Sequence, residues 1–393
     1  MSDRQEFLRT AGWGDAQIAP LPGDASTRHY ARLIHNGRRA MLMDQPQAAE
    51  AAVAAPNADE TTRRALGYNA VARLAGADCR RFSAVSDFLR ARGLAAPAIH
   101  AADYLRGWLV LEDLGDALFS DVLTQGGSEE ELYKAAVEIL ARLHRERAPD
   151  FLPPPAFADP RASYGHLPHQ HADARAGEAD LAPLPLFVYD DIALIAETDL
   201  MLEWFFPLAL GRKASDAEYR EHRALWHKAL EKIADSEPVF VHRDYHAQNL
   251  LWLPEREGLA RVGLIDFQDA VAGSRAYDLI SLIEDARRDV SPELGEIATA
   301  YYLAAMRAQG TPLDEVHFRA EMAVMAAQRN TKIVGIFARL YARDGKRRYL
   351  SYLPRVWAYL ERDLSHPLLA DLRAWYDRLI PMARRTLPEL ETA

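Results

Sequence analysis

An α+β fold in two lobes, a small antiparallel-sheet N-lobe followed by a mainly helical C-lobe, is what the sequence predicts. Three observations carry this reading. Short apolar runs separated by tight turns open the chain. Two more apolar strand-like runs flank a polar loop between Val239 and Asp266. Long Ala-, Leu- and Arg-rich stretches with helical spacing fill most of the remainder.

Taken in order, residues 18 to 45 read as strand, glycine loop, strand, tight turn and strand: IAPLPGDASTR, then HYARLI, the turn His35-Asn36-Gly37, and RRAMLMD. Ala48 to Gly93 has helical spacing broken at Pro56 and Asn57, which predicts one or two helices. After Pro97, the runs AIHAADYL and GWLVLEDLG around Arg106-Gly107 suit a hairpin. The lobe boundary is placed near Gly115, giving an N-lobe over 1–115 and a C-lobe over 116–393.

Residues 128 to 147 carry acidic residues early and basic ones late, the order a helix dipole favours. Seven prolines among residues 151 to 185 are hostile to helix and predict a long surface loop. Its histidines, His166, His169 and His171, have no cysteine or ordered carboxylate framework beside them and read as solvated. Residues 190 to 210 and 215 to 236 read as helices, 239 to 266 as short strands around an irregular loop, and 275 to 390 as mostly helical, with no internal repeat.

Composition narrows the function classes. A chain of 393 residues, 49% hydrophobic, can bury a large core. Its net charge of −10 offers no basic field for nucleic acid or an anionic membrane, so a small-molecule partner is favoured. The single cysteine, Cys79, implies no oxidising compartment. The charged start MSDRQEFLR lacks an apolar core, and acidic residues interrupt the apolar stretches, so the expectation is a cytoplasmic protein without a membrane span, monomeric rather than an obligate oligomer.

The strongest signal is the run from Val239 to Trp252, VFVHRDYHAQNLLW, which matches the kinase catalytic-loop pattern HRDxxxxN. Phosphoryl transfer to a hydroxyl needs a carboxylate to orient the attacking oxygen and accept its proton, and Asp244 is the candidate. It also needs hard oxygen donors for Mg²⁺ on the ATP phosphates, and Asn249 with Asp266 fits. Asp266 ends the apolar run Val262-Gly263-Leu264-Ile265 and continues as Phe267-Gln268, where a protein kinase has DFG. His242 and Arg243 read as braces of the loop, and Asp278 as a helix-start carboxylate that also ties it down.

On the nucleotide side, Gly23, Ser26, Thr27 and Arg28 lie in a small-residue turn whose backbone N–H groups and hydroxyls can approach phosphates. Protein kinases carry a phosphate-binding Lys on the third strand, yet only six lysines occur here and none precedes Lys134. An arginine must substitute: Arg28 is favoured, with Arg32 second, because a guanidinium holds phosphate oxygens bidentately. Leu111, Glu112 and Asp113, in the segment joining the lobes, are the candidates for backbone contact with an adenine edge.

On the acceptor side, Tyr245 and His246 are nearest Asp244 in sequence. Asp190, Glu197, Glu203 and Trp204 belong to an aromatic and acidic cluster able to hydrogen-bond and stack on a sugar. Gln328, Arg329 and Lys332 are further candidates for a substrate carboxylate.

The segments GDASTRHYARL, MLMDQP, WLVLEDLGD, VFVHRDYHAQNLLW, GLIDFQDAVAGSRAYDLISL and QRNTKIVGIFARLYARDGK together make the chain resemble the aminoglycoside phosphotransferase and choline kinase superfamily. Within it, the resemblance is strongest to the anomeric kinases of N-acetylmuramate and N-acetylglucosamine in cell-wall recycling. It implies a protein-kinase-like two-lobed fold, ATP, Mg²⁺, and phosphorylation of an amino sugar's anomeric hydroxyl to the sugar 1-phosphate. The catalytic loop also suits an aminoglycoside, choline, homoserine or ketosamine acceptor, and the missing third-strand Lys leaves a nucleotide-binding pseudokinase as a further alternative.

Overall fold

The computed structural model of the chain describes residues 3–23, 27–46, 52–155 and 182–387. They form two compact units, one from Met1–Gly127, Pro149–Phe187 and Ala247–Ala270, the other from Ser128–Ala148, Val188–His246 and Val271–Ala393.

The first unit carries a five-stranded antiparallel sheet. Its strands are β1 (Gln17–Pro20), β2 (His29–His35), β3 (Arg38–Asp44), β4 (Ile99–Asp103) and β5 (Trp108–Glu112), in the order β1-β2-β3-β5-β4. The β2–β3 turn puts Asn36 and Gly37 at φ of 50° and 75°, the left-handed pair that a two-residue hairpin demands. Leu33, Ala40, Leu42 and Val110 bury one face of the sheet against Leu8 and Trp13, where a helix over Asp3–Thr10 that the sequence did not announce covers it.

The stretch before the β4–β5 hairpin holds helices at Glu60–Leu66, Tyr68–Val71 and Arg80–Arg90. β6 (Phe151–Leu152) pairs with β7 (Leu184–Pro185) at the two ends of the proline-rich stretch. Residues 156–181, including His166, His169 and His171, lie outside the described residues.

The compact units do not follow the division of the chain at Gly115. The hairpin of β9 (Leu250–Trp252) and β10 (Val262–Leu264) joins the sheet-bearing unit. The physical cause is local: Leu264 N–H donates to the Ala95 carbonyl at 2.7 Å, and Leu251 and Leu253 pack on Ala95 and Leu114 in one apolar cluster.

The second unit is helical. Serine or aspartate caps start several of its helices: Ser128 before Glu129–Leu143, Ser215 in a capping box before Asp216–Glu231, Ser291 before Pro292–Ala308, and Asp314 before Glu315–Asp344. The last of these runs 30 residues with Val324, Ala327, Val334 and Ala338 fully buried. Gly335 lies on this helix where a Cβ would come within 2.4 Å of the Leu200 carbonyl carbon. Leu200 ends the helix Asp191–Leu200 and is followed by one π-helical turn, Met201–Phe205.

Within this unit β8 (Val239–Val241) pairs with β11 (Val271–Gly273), a three-residue strand too short to be legible beside the polar loop before it. Among the described residues, no helix is long and apolar enough to cross a membrane.

Candidate active site

The candidates for the phosphate side lie in the first unit. β9 and β10 return antiparallel, so the residue before β9 and the residues just after β10 come together: Ile265 N–H donates to the Asn249 carbonyl at 3.2 Å, and Asn249 Nδ2 lies 3.5 Å from Asp266 Oδ2. A carboxamide and a carboxylate placed side by side are the hard oxygen donors that Mg²⁺ takes, so the pair fits that ion. Asp266 sits at φ +62°, a conformation an aspartate tolerates better than most residues. Its successor Phe267 packs on Phe82 at 4.8 Å between ring centroids, which anchors the turn in the core.

Arg28 enters this group from the residue before β2. Its NH1 donates to Asp266 Oδ1 at 3.2 Å, its Nε to Gln45 Oε1 at 2.8 Å, and its NH2 lies 4.0 Å from Asp269. Burial opposes the guanidinium charge, but Tyr30, Asp269 and Asp266 outweigh it and raise the pKa further. Gln45 in turn donates to Thr27 Oγ1 at 3.3 Å, and Asp269 accepts Ala75 N–H at 2.6 Å. Gln45 and Asp269 escaped the sequence reading, although each stands inside a quoted segment, MLMDQP and DFQD.

Arg32, the second choice for the cation, is committed elsewhere. It makes bidentate bonds to Asp113 at 2.7 and 3.1 Å and also reaches Asp116 at 2.7 Å. Leu111 and Glu112 lie inside the sheet between β3 and β4, and Glu112 N–H already donates to the Ala98 carbonyl at 2.8 Å. The Glu112 carboxylate accepts Ala98 N–H and bonds Arg256 at 2.8 Å. Of the three joining-segment candidates, Asp113 is the one beyond the strand end. Gly23 and Thr27 lie on the chain entering β2, and Ser26 falls outside the described residues.

The candidates for the acceptor side lie in the second unit. β8 delivers the loop that begins at His242, and Arg243 adopts φ +79°. Asp278, near the start of the helix Ala276–Ile283, accepts both loop amides, His242 N–H at 2.6 Å and Arg243 N–H at 2.9 Å. Burial pushes the Asp278 carboxyl up to about 7 against these two donors. The tie-down expected of Asp278 is thus two hydrogen bonds. His242 is fully buried with its ring edge-on to Tyr245 at 5.5 Å.

A buried ion cluster holds the Arg243 side chain. Glu197 pairs with Arg243 and with Lys332 Nζ at 3.0 Å, bonds the Tyr189 hydroxyl, and accepts Gln328 Nε2 at 3.2 Å. Burial works to raise the Glu197 pKa, but Lys332 and Arg243 overcome it and hold the carboxyl at about 2. The same pairing raises Lys332 against its own burial.

Several acceptor-side candidates therefore have other roles. Glu197 is 0% exposed and saturated by protein partners, so it braces the catalytic loop and does not face a sugar. Tyr245 is equally buried, its hydroxyl donating to the Ala136 carbonyl at 2.8 Å in the core. Asp190 caps the helix that follows it, accepting Ala193 N–H at 2.9 Å. Gln328 donates to the Leu194 carbonyl at 2.9 Å and points to Glu197. Glu203 is exposed and Trp204 half-buried on the π-helical turn, and neither lines the cavity that opens on Asp244. His246, Arg329 and Lys332 do line it, and so does Arg287, which the sequence reading missed.

The antiparallel sheet, the helical remainder, and the HRDxxxxN and DFQ turns define the class of protein: a phosphotransferase of the protein-kinase-like two-lobed fold. The chain belongs to the phosphotransferase enzyme family, whose model matches residues 17–313. Over 379 residues, 96% of this chain and 96% of the relative, it is 41% identical to an N-acetylmuramate/N-acetylglucosamine kinase of Caulobacter vibrioides. A protein of the same name from Pseudomonas putida is 30% identical over 383 residues, 93% of this chain and 90% of that one. Among solved structures, a microcompartment-associated aminopropanol kinase is similar with a TM-score of 0.53 at 16% identity, covering 94% of this chain and 97% of the other. A thermostable mutant of an aminoglycoside phosphotransferase, in ternary complex with ADP and hygromycin B, gives 0.50 at 11% identity, covering 93% and 100%. At such identities the likeness is one of fold.

Proposed function

We propose that this ATP-dependent kinase phosphorylates the anomeric hydroxyl of an amino sugar, N-acetylmuramate or N-acetylglucosamine, to give the sugar 1-phosphate in cell-wall recycling. The observation that carries the reading is the 41% identity, over 96% of the chain, to a relative that bears both sugars in its name.

In this proposal Asp244 orients the sugar hydroxyl and takes its proton as the oxygen attacks the γ-phosphorus. The new P–O bond forms as the bond to the β-phosphate oxygen breaks, and ADP leaves. Asn249 and Asp266 would hold Mg²⁺, which when bound supplies neutralising charge to the phosphate oxygens. Arg28, paired at 3.2 Å with Asp266 in the structure, is placed to hold phosphate oxygens in the role of the missing third-strand Lys. Arg28 in that role argues against the pseudokinase reading.

The test is a coupled assay with ATP, Mg²⁺ and each sugar, following ADP release together with loss of the reducing-sugar signal. Anomeric phosphorylation removes both the free anomeric hydroxyl and that signal. ADP release with the reducing signal intact places the phosphate on another hydroxyl, and no turnover with either sugar refutes the reading.

A further inference from the structure

Charge around the cavity that opens on Asp244 is lopsided. Four cationic side chains line it, Arg243, Arg287, Arg329 and Lys332, and Asp244 is its only carboxylate among the described residues. Two of the four are neutralised from behind, since Arg243 and Lys332 share Glu197. The other two are not. Arg329 donates to the Glu284 main-chain carbonyl at 3.1 Å, and its charge acts on the buried Asp278. The Arg287 NH1 lies 3.4 Å from His246 Nε2, and the nearby Asp285 carboxylate accepts the Arg287 backbone N–H at 2.8 Å, not its guanidinium. Among the described residues neither guanidinium has a carboxylate within ion-pair distance.

Placing two such cations on a partly desolvated wall is costly unless an anion arrives there. A neutral sugar does not supply one. We infer that Arg287, supported by Arg329, binds the carboxylate of an acidic amino sugar and so sets the preference for N-acetylmuramate over N-acetylglucosamine. The two sugars differ by one lactyl ether on O3, which puts a carboxylate on the same ring as the reacting anomeric hydroxyl. Arg287 is well placed for it. His246 stands two residues after Asp244 on the same loop, and one imidazole separates that loop from the guanidinium. A guanidinium fork matches a carboxylate with two parallel hydrogen bonds. The inference rests on the amino-sugar kinase reading above.

The experiment compares kcat/KM for the two sugars in the wild type and in Arg287→Ala, Arg287→Gln and Arg287→Lys. Loss of a charged hydrogen bond predicts that the ratio favouring the acidic sugar falls about 10- to 100-fold in the alanine variant, mainly through KM for N-acetylmuramate. Arg287→Lys restores part of that ratio. Arg287→Gln removes the charge but keeps a polar side chain, and gives the same reading should the alanine variant fail to fold. A proportional fall for both sugars, or an unchanged ratio, overturns the assignment while leaving the kinase reading intact. A wild-type protein that phosphorylates neither sugar overturns both, and that result is in hand before any variant is made.

Discussion

Arg28 donates to Asp266 across 3.2 Å, joining the residue before β2 to the residue that closes the β9–β10 hairpin. In the proposed site the cation that protein kinases carry on their third strand comes instead from the residue before β2, and Gln45, just after β3, accepts a hydrogen bond from its Nε. A nucleotide would meet a guanidinium already aimed at the candidate metal donor.

Replacing Arg28 with alanine therefore weakens ATP use with little effect on the sugar. Loss of charged hydrogen bonds predicts about a 10- to 100-fold fall in kcat/KM for ATP, with Arg28→Lys intermediate because a lysine cannot reproduce the fork. Steady-state kinetics with each substrate varied in turn checks this. An equal rise in KM for the sugar contradicts the assignment.

Asp244→Asn keeps the shape of the side chain and removes its basicity. The expected loss in kcat is about 10²–10⁴-fold, as for a general base, while the binding of an ATP analogue, measured by calorimetry, changes little. Loss of nucleotide binding would place Asp244 in another role.

Asp278→Ala leaves the amides of His242 and Arg243 buried without their acceptor, at about 1–3 kcal/mol each. Urea unfolding should show the loss. Burial raises the Asp278 pKa from its ordinary 3.8 to about 7, so the folded protein holds this proton more tightly than the unfolded chain. Stability from this group consequently declines as pH rises through that window, and Asp278→Asn removes the slope.

Glu197 has the opposite sign. Lys332 and Arg243 hold its carboxyl at about 2 against an ordinary 4.5, so its contribution is complete above pH 4.5 and is lost as pH falls towards 2, by about 3 kcal/mol at most. Glu197→Gln strands Arg243 and Lys332 without their shared anion, and the expected cost is about 3–5 kcal/mol at neutral pH. Denaturant midpoints at pH 3 and pH 7 should lie closer together in the variant than in the wild type.

What was legible in the sequence followed the contiguity of its signals. Asp244, Asn249 and Asp266 stand in short runs where strand, turn and strand are adjacent in the chain, so local patterning reveals them. The Asn36-Gly37 turn is local in the same way and needs no partner far off. Asp269 and Arg287 take their meaning from neighbours more than forty residues away, and Gln45 from Arg28 and Thr27 across the β2–β3 hairpin; no periodicity encodes either. Glu197 and Tyr245 are the instructive misreadings: an acid and an aromatic near a catalytic loop suit a sugar site equally well on paper. Only burial shows that both point into the core, one satisfied by Arg243 and Lys332 and the other by the Ala136 carbonyl.

Gly335, pressed against Leu200 where the π-helical turn begins, makes a conditional allele accessible. An added methyl group there meets main-chain atoms at 2.4 and 2.6 Å that cannot swing aside. Overpacking of this kind costs about 1–3 kcal/mol. Gly335→Ala alters no residue assigned here to chemistry or recognition. A strain carrying it would supply the kinase at low growth temperature and lose it on warming, so the enzyme's cellular role could be read by a shift of incubator.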